Sequence, residues 1–126
     1  MKRSIIAAML ALFVVGISVF GQFRVRCCGE EIINSMETIE KHLVSGDRVA
    51  ALNTTQRFLL RWEKMHGEIC LYLQHDHLDP LENVFSVLPY YVENDLTDTA
   101  IAECRLAAAH TQHILRSERI SYENLL

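Results

Sequence analysis

The chain has 126 residues, half of them hydrophobic, with 16 acidic against 12 basic side chains and a formal net charge of −4. That length holds one small domain with a single core. The acidic balance argues against a nucleic-acid ligand and against tight docking of the domain on anionic lipid, both of which require clustered Lys and Arg.

The first element is a nearly unbroken apolar run from Ser4 to Phe23, with Lys2 and Arg3 before it and Arg24 and Arg26 after it. Twenty helical residues at ~1.5 Å each reach ~30 Å, the thickness of a bilayer's hydrocarbon core. A cleaved signal has a shorter apolar region, ~7–15 residues, and small residues ahead of its cut site. Ile5–Val15 has that length, and cut sites near Val19 or Gln22 would release a secreted domain. No A-x-A triplet occurs, however, and the apolar run continues to Phe23. Residues 1–26 are therefore read as a signal-anchor or transmembrane segment, and 27–126 as a helical domain. The short cationic N-terminus places that domain outside the cytoplasm on a single-pass protein.

Charge is unevenly spread, since every Asp and Glu follows Gly29. Beyond the anchor, apolar residues recur at helical spacing. Ile32, Met36, Ile39 and Leu43 form one face of a first helix, and Gly46 supplies its stop. Asp47 caps a second helix running to about Leu73. Its apolar side is Ala51, Leu52, Thr55, Phe58, Leu59, Trp62, Ile69, Cys70 and Leu73. Asn53, Arg57, Arg61, Lys64 and Glu68 line the other side. Trp62 is expected in the core.

A polar loop, Gln74–Leu78, is predicted next. Asp79-Pro80-Leu81-Glu82 then reads as a helix start, with an N-cap acid, proline at the first helical position and Glu at the third. Leu81, Val84, Phe85, Leu88 and Val92 form the third stripe, and Pro89 predicts a kink or an early end. A fourth helix is expected from Thr97 or Asp98 to Arg116, with Ile101, Cys104, Ala108, Thr111 and Leu115 inward. Ile120, Leu125 and Leu126 belong to a short tail able to pack back. Short connections make consecutive helices antiparallel. The fold class is thus all-α: an N-terminal anchor helix and a small antiparallel bundle of about four helices, arranged as paired hairpins.

Six histidines are the main candidates for chemistry. A metal site would combine His75 and His77 from the loop with His110 and His113 from one turn of the fourth helix. The axial rise permits this. On a helical wheel, though, His110 and His113 fall on the wet face, and no ligand spacing matches an established pattern. No metal or other cofactor is therefore expected, and no catalytic residue is assigned. His66 lies inside the second stripe, one turn after Trp62, and is expected to be satisfied by a backbone carbonyl or an acid. Cys70 and Cys104 both face the core at similar heights, so a disulfide and two buried thiols are both open. Cys27-Cys28 sits at the membrane boundary. No glycine-rich phosphate loop, G-x-S-x-G elbow or H-E-x-x-H motif occurs.

The order Ser45-Gly46-Asp47, Arg61-Trp62-Glu63-Lys64, His75-Asp76-His77-Leu78-Asp79 and the ending Ser121-Tyr122-Glu123-Asn124-Leu125-Leu126 resembles the bacterial family called domain of unknown function 4363, common in spore-forming Firmicutes. The resemblance covers essentially the whole chain. It implies a small helical protein held by one N-terminal segment, with no assigned activity. Pro89 and the four cysteines depart from that pattern. Two function classes remain from the sequence. One is a non-enzymatic, membrane-tethered module that binds another envelope protein, such as a multi-span one. The alternative is a small ligand- or metal-binding domain built on His66 and the His75–His77 loop.

Overall fold

A computed structural model describes the backbone of residues 1–125 and the side chains of residues 1–119. Within it the chain forms four helices: α1 Lys2–Val44, α2 Arg48–Ile69, α3 His75–Glu93 and α4 Thr97–Leu125, with no strand among the described residues. α1 packs on α4 and α2, and α3 packs on α2 and α4, so the helices run up and down around one core.

α1 has no break between its exposed apolar part and its buried part. Its 43 residues form one rod of roughly 64 Å, at ~1.5 Å per residue. Ile5, Leu12, Val15 and Phe20 on the first part are exposed. Gly21, Val25, Cys28, Ile32, Met36, Ile39 and Leu43 on the second part are buried. Only 6% of the apolar window is covered by the rest of the protein, which sets it apart from the core helix of a globular domain. α1 is the one described helix long and apolar enough to cross a membrane, and the same features suit a signal sequence.

Two of the three turns between antiparallel neighbours, those after α1 and α3, follow from local sequence. At the end of α1, Gly46 takes φ +80°. The Asp47 N–H then bonds the His42 carbonyl at 3.0 Å and the Gly46 N–H bonds the Leu43 carbonyl at 3.2 Å, a Schellman closure that satisfies two orphan carbonyls. Asp47 next accepts from the Ala50 N–H at 3.1 Å as the N-cap of α2. At the end of α3, Asp95 takes the left-handed conformation at φ 61°, and the Leu96 N–H bonds the Tyr91 carbonyl at 2.9 Å. The two turns repeat one geometry, with Gly in the first and Asp in the second.

The core is continuous. Met36 and Ile39 from α1, Ala51 and Met65 from α2, Leu81 and Leu88 from α3, and Ala100 and Cys104 from α4 all lie inside it. Trp62 is 6% exposed, edge-on to Phe85 at 4.8 Å, and Phe58 meets the same Phe85 ring at 4.8 Å. Such pairs add to the large apolar area that the rings bury. Ion pairs Arg61–Glu31 (2.8 Å) and Arg105–Glu40 (2.7 Å), together with Arg24–Glu68, tie α1 to α2 and α4 along their wet edges.

Four boundaries differ from expectation. α2 ends at Ile69 rather than near Leu73, which is buried in the turn that follows. α3 starts at His75, so the expected 74–78 loop is its first turn, capped at Gln74 without a side-chain bond. Leu78 explains the shift: it is buried beside Leu81 and Phe85, and only a helical turn brings residues three and seven apart onto one face. Pro80 thus lies within the helix rather than at its first position. Pro89 does not end α3 early, because burial of Leu88 and Val92 holds the last turn to Glu93. α4 continues past Arg116 to Leu125; nothing in Ser117–Leu125 breaks a helix, and Leu115 packs against Gly29 of α1. The expected packing of the Ile120, Leu125 and Leu126 side chains lies outside the described residues.

Candidate functional site

α2 and α3 leave an open groove of about 600 Å³ on the face of the bundle away from α1. Its apolar lining comes from Leu59, Trp62 and Phe85, and its polar lining from Glu63, His66, Glu82, Asn83 and Ser86. Sequence spacing builds it. Leu59, Trp62 and His66 follow one another at three and four residues along α2, while Glu82 and Phe85 stand three apart on α3.

His66 is half-buried at one end of the groove, and its Nε2 lies 3.1 Å from Glu82 Oε1. A carboxylate only accepts, so Nε2 carries the proton. The expected acid partner is therefore Glu82, a residue whose spacing from Asp79 made it look like part of a helix cap. The Trp62 ring lies 5.4 Å from the His66 ring. Cys70 Sγ sits one turn further on, 3.5 Å from Nε2 and 3.7 Å from Nδ1. In a nucleophile–base–acid relay the thiol and the acid occupy opposite ring nitrogens. Here the sulfur lies beside both nitrogens, and the acid engages Nε2. The arrangement orients the imidazole at a groove edge and has no relay geometry.

The four other candidate histidines are partly brought together. His75 and His113 are exposed and His77 and His110 half-buried. His110 Nε2 donates to the His77 carbonyl oxygen at 2.9 Å, tying α4 to the first turn of α3. His110 is less wet than the wheel indicated, because the buried stripe of α4 is Ala100, Cys104, Ala107, Thr111 and Ile114. That stripe is turned back by about one residue from the expected one, leaving His110 roughly 80° from its centre at 100° per residue. No group of three or more His, Cys, Asp or Glu side chains able to hold a metal occurs among the described residues.

All four cysteines are free thiols. Cys104 is buried between α4 and α1, and burial pushes its thiol up to about 12. Cys70 is only half-buried and lies beside His66. Cys70 caps the end of α2 and Cys104 lies in α4, and each of these helices packs on α1 and α3, so the shared height inferred from the sequence places the two thiols on opposite corners of the bundle.

A second concave site, of about 510 Å³, opens between α1 and α4 beside Gln22, where the apolar run of α1 ends. Gln22, Val25, Arg26 and Glu30 line it from α1, and Leu115, Arg116, Glu118 and Arg119 from α4. Sequence reasoning missed it, because Arg26 and Arg116 are far apart in the chain.

Comparison with known proteins adds the family. The model of the family described as Domain of unknown function (DUF4363) matches residues 19–125, and the chain belongs to that family. No curated protein and no solved structure matches it.

Proposed function

We propose that this family member is a membrane-tethered, non-enzymatic helical module of the bacterial cell envelope, whose α2–α3 groove docks an exposed segment of a neighbouring membrane protein. The observation that carries this reading is the continuity of α1, apolar and exposed over its first twenty residues and part of the core thereafter. A rod without a hinge fixes the height and tilt of the groove relative to the bilayer. Tethering raises the effective concentration of any partner in the same plane, so a weak, partly polar interface suffices. The groove supports the interaction role through its concave shape and polar rim, set over the buried Trp62–Phe85 pair that holds α2 against α3. Glu63, Glu82 and His66 at its polar edge favour a segment carrying a basic or hydrogen-bond-donating side chain.

The alternative is a small ligand held in the same groove, whose volume falls in the range of ligand pockets. Affinity purification of the full chain in mild detergent, with mass spectrometry of what co-elutes, separates the two. A multi-span envelope protein should co-purify and be lost when Glu63→Arg and Asn83→Arg are combined. Unchanged capture by that variant, or no envelope protein captured at all, would move the ligand reading ahead.

A further inference from the structure

We propose that the α2–α3 turn makes a second contact with the lipid bilayer, in which Leu71 enters the boundary between headgroups and acyl chains and Tyr72 lies in the headgroup layer. The proposal rests on the membrane-anchor reading of α1, which sets where the bilayer lies, and on the turn's own residues for its chemistry.

Height comes first. α1 leaves its apolar run at Phe23, and α2, antiparallel to it, brings the chain back down to that level. Tyr72 lies against Gly21, where a Cβ would come within 2.5 Å of Cδ1. Leu71 and Tyr72 share a concave surface with Ile17, Gly21 and Gln22. All three of these α1 residues precede Phe23, so the turn sits beside the last part of the apolar run and not above it. The Arg24–Glu68 ion pair marks the next layer. Arg24 is the first charged residue after the run. Glu68 precedes Leu71 by three residues, which puts the leucine ~4.5 Å further toward the run.

The chemistry of the turn suits that height. Between Glu68 and Asp76 the chain carries no Asp, Glu, Lys or Arg, and the turn itself reads Cys70-Leu71-Tyr72-Leu73. Leu73 belongs to the core at 8% exposed, whereas Leu71 is 79% exposed. The two turns at the opposite end of the bundle are polar, and each places an acid, Asp47 or Asp95, at its tip. An exposed leucine beside a bilayer exchanges water for acyl chain, which is favourable. Tyrosine is enriched at the membrane surface because its ring is apolar and its hydroxyl stays wet. Phe20 and Phe23 stand exposed on α1 at the same height. The contact is apolar and uses no cation, so it does not depend on headgroup charge. A single helix leaves the bundle able to lean about its exit point. A second contact beside that point holds the lean, and the turn joins the two helices that line the groove.

The test uses the full, unaltered chain in phosphatidylcholine vesicles, with hydroxyl-radical footprinting read by mass spectrometry. Leu106 of α4 is the reference: it is 58% exposed and stands twelve residues before Glu118, which lines the same surface as Leu71, hence ~18 Å higher. The protein's own shape ranks Leu71 as the more exposed of the two. In vesicles the order should reverse, with Leu106 oxidised several-fold more than Leu71. Phe20 reports on α1 separately and should also be spared. Oxidation of Leu71 at or above the level of Leu106, with Phe20 spared, would overturn the turn contact and leave the anchor reading standing. Oxidation of Phe20 as well would sink the anchor reading and the turn contact with it. Photo-cross-linking from p-benzoylphenylalanine placed at position 71 identifies what covers the turn, and circular dichroism checks that this variant remains helical. Adducts on lipid are expected, and adducts on protein alone would overturn the proposal.

Discussion

A Cβ built on Gly21 would lie 2.5 Å from Cδ1 of Tyr72, so α1 and the α2–α3 turn touch through a glycine that nothing larger replaces without movement. Gly29 repeats the relation one layer higher, where a Cβ would meet Leu115 Cδ2 at 2.8 Å. Both lie on the face of α1 that carries Val25, Cys28 and Ile32. A glycine inside a helix ordinarily costs ~0.5–1 kcal/mol relative to alanine. Close approach of the Tyr72 ring and the Leu115 methyls offsets that loss.

Gly21→Val should therefore destabilise the bundle by about 1–3 kcal/mol, the range for overpacking. Thermal melting of the full chain in detergent measures it. Tyr72→Ala removes the ring that clashes, so the double variant should lose less than the sum of the two singles. Strict additivity would show that the two residues do not touch.

Trp62→Ala should cost ~3–5 kcal/mol in chemical denaturation, the range for truncating a buried aromatic. Trp62 is nearly inaccessible and edge-on to Phe85. A loss below about 1 kcal/mol would place the indole on the surface, where a contact residue of the groove belongs.

The helix faces were readable because burial follows 3.6-residue spacing. Ile32, Met36, Ile39 and Leu43 are all buried as expected, and so are Phe58 and Trp62. The Gly46–Asp47 turn was readable because both residues act locally, one through its φ and the other through its carboxylate. What depended on distant packing was not. The capping signal at Asp79 lost to burial of Leu78, which extends α3 by a turn. The alanines at 107–109 offer little contrast around the helix, so the stripe of α4 was set one residue off. The partnership of His66 with Glu82, and the meeting of Arg26 with Arg116 and Arg119, arise only once helices lie side by side.

Alkaline pH should weaken the fold through Cys104. Burial pushes its thiol from 9.0 to about 12, so between those values the unfolded chain releases a proton that the folded chain keeps. The stabilising contribution is complete below pH 9 and is lost as pH rises toward 12. Cys28 is raised by burial in the same direction. Cys104→Ala should flatten part of the decline in melting temperature above pH 9, and an identical pH slope in the variant would remove the thiol from the account.

Chelation should leave the melting temperature of the purified protein unchanged. His110 Nε2 is already engaged by the His77 carbonyl, and His75 and His113 are exposed. His110→Ala should instead cost about 1 kcal/mol, the net worth of one hydrogen bond. Near-stoichiometric zinc, lost together with several degrees of melting temperature on chelation, would contradict this.

The last prediction concerns where along α1 the core begins. The apolar run stops at Phe23, but the core starts earlier, at Gly21, and Val25 and Cys28 are already inside it. Deleting residues 2–17 should therefore remove the exposed part of α1 alone and yield a soluble domain that melts cooperatively. Deleting residues 2–26 also removes Gly21, Val25 and the Arg24 partner of Glu68, which uncovers Tyr72. Loss of one buried valine by itself is worth ~1.5–3 kcal/mol, so the longer deletion should melt several degrees lower or fail to fold. Circular dichroism melts of the two proteins make the comparison. Equal melting temperatures would mean that α1 contributes to the core only beyond Cys27, and that the helix can be cut at its charged boundary without cost. A lower melting temperature for the longer deletion would mean that the core draws on α1 from Gly21 onward, where the helix is held against Tyr72 of the α2–α3 turn.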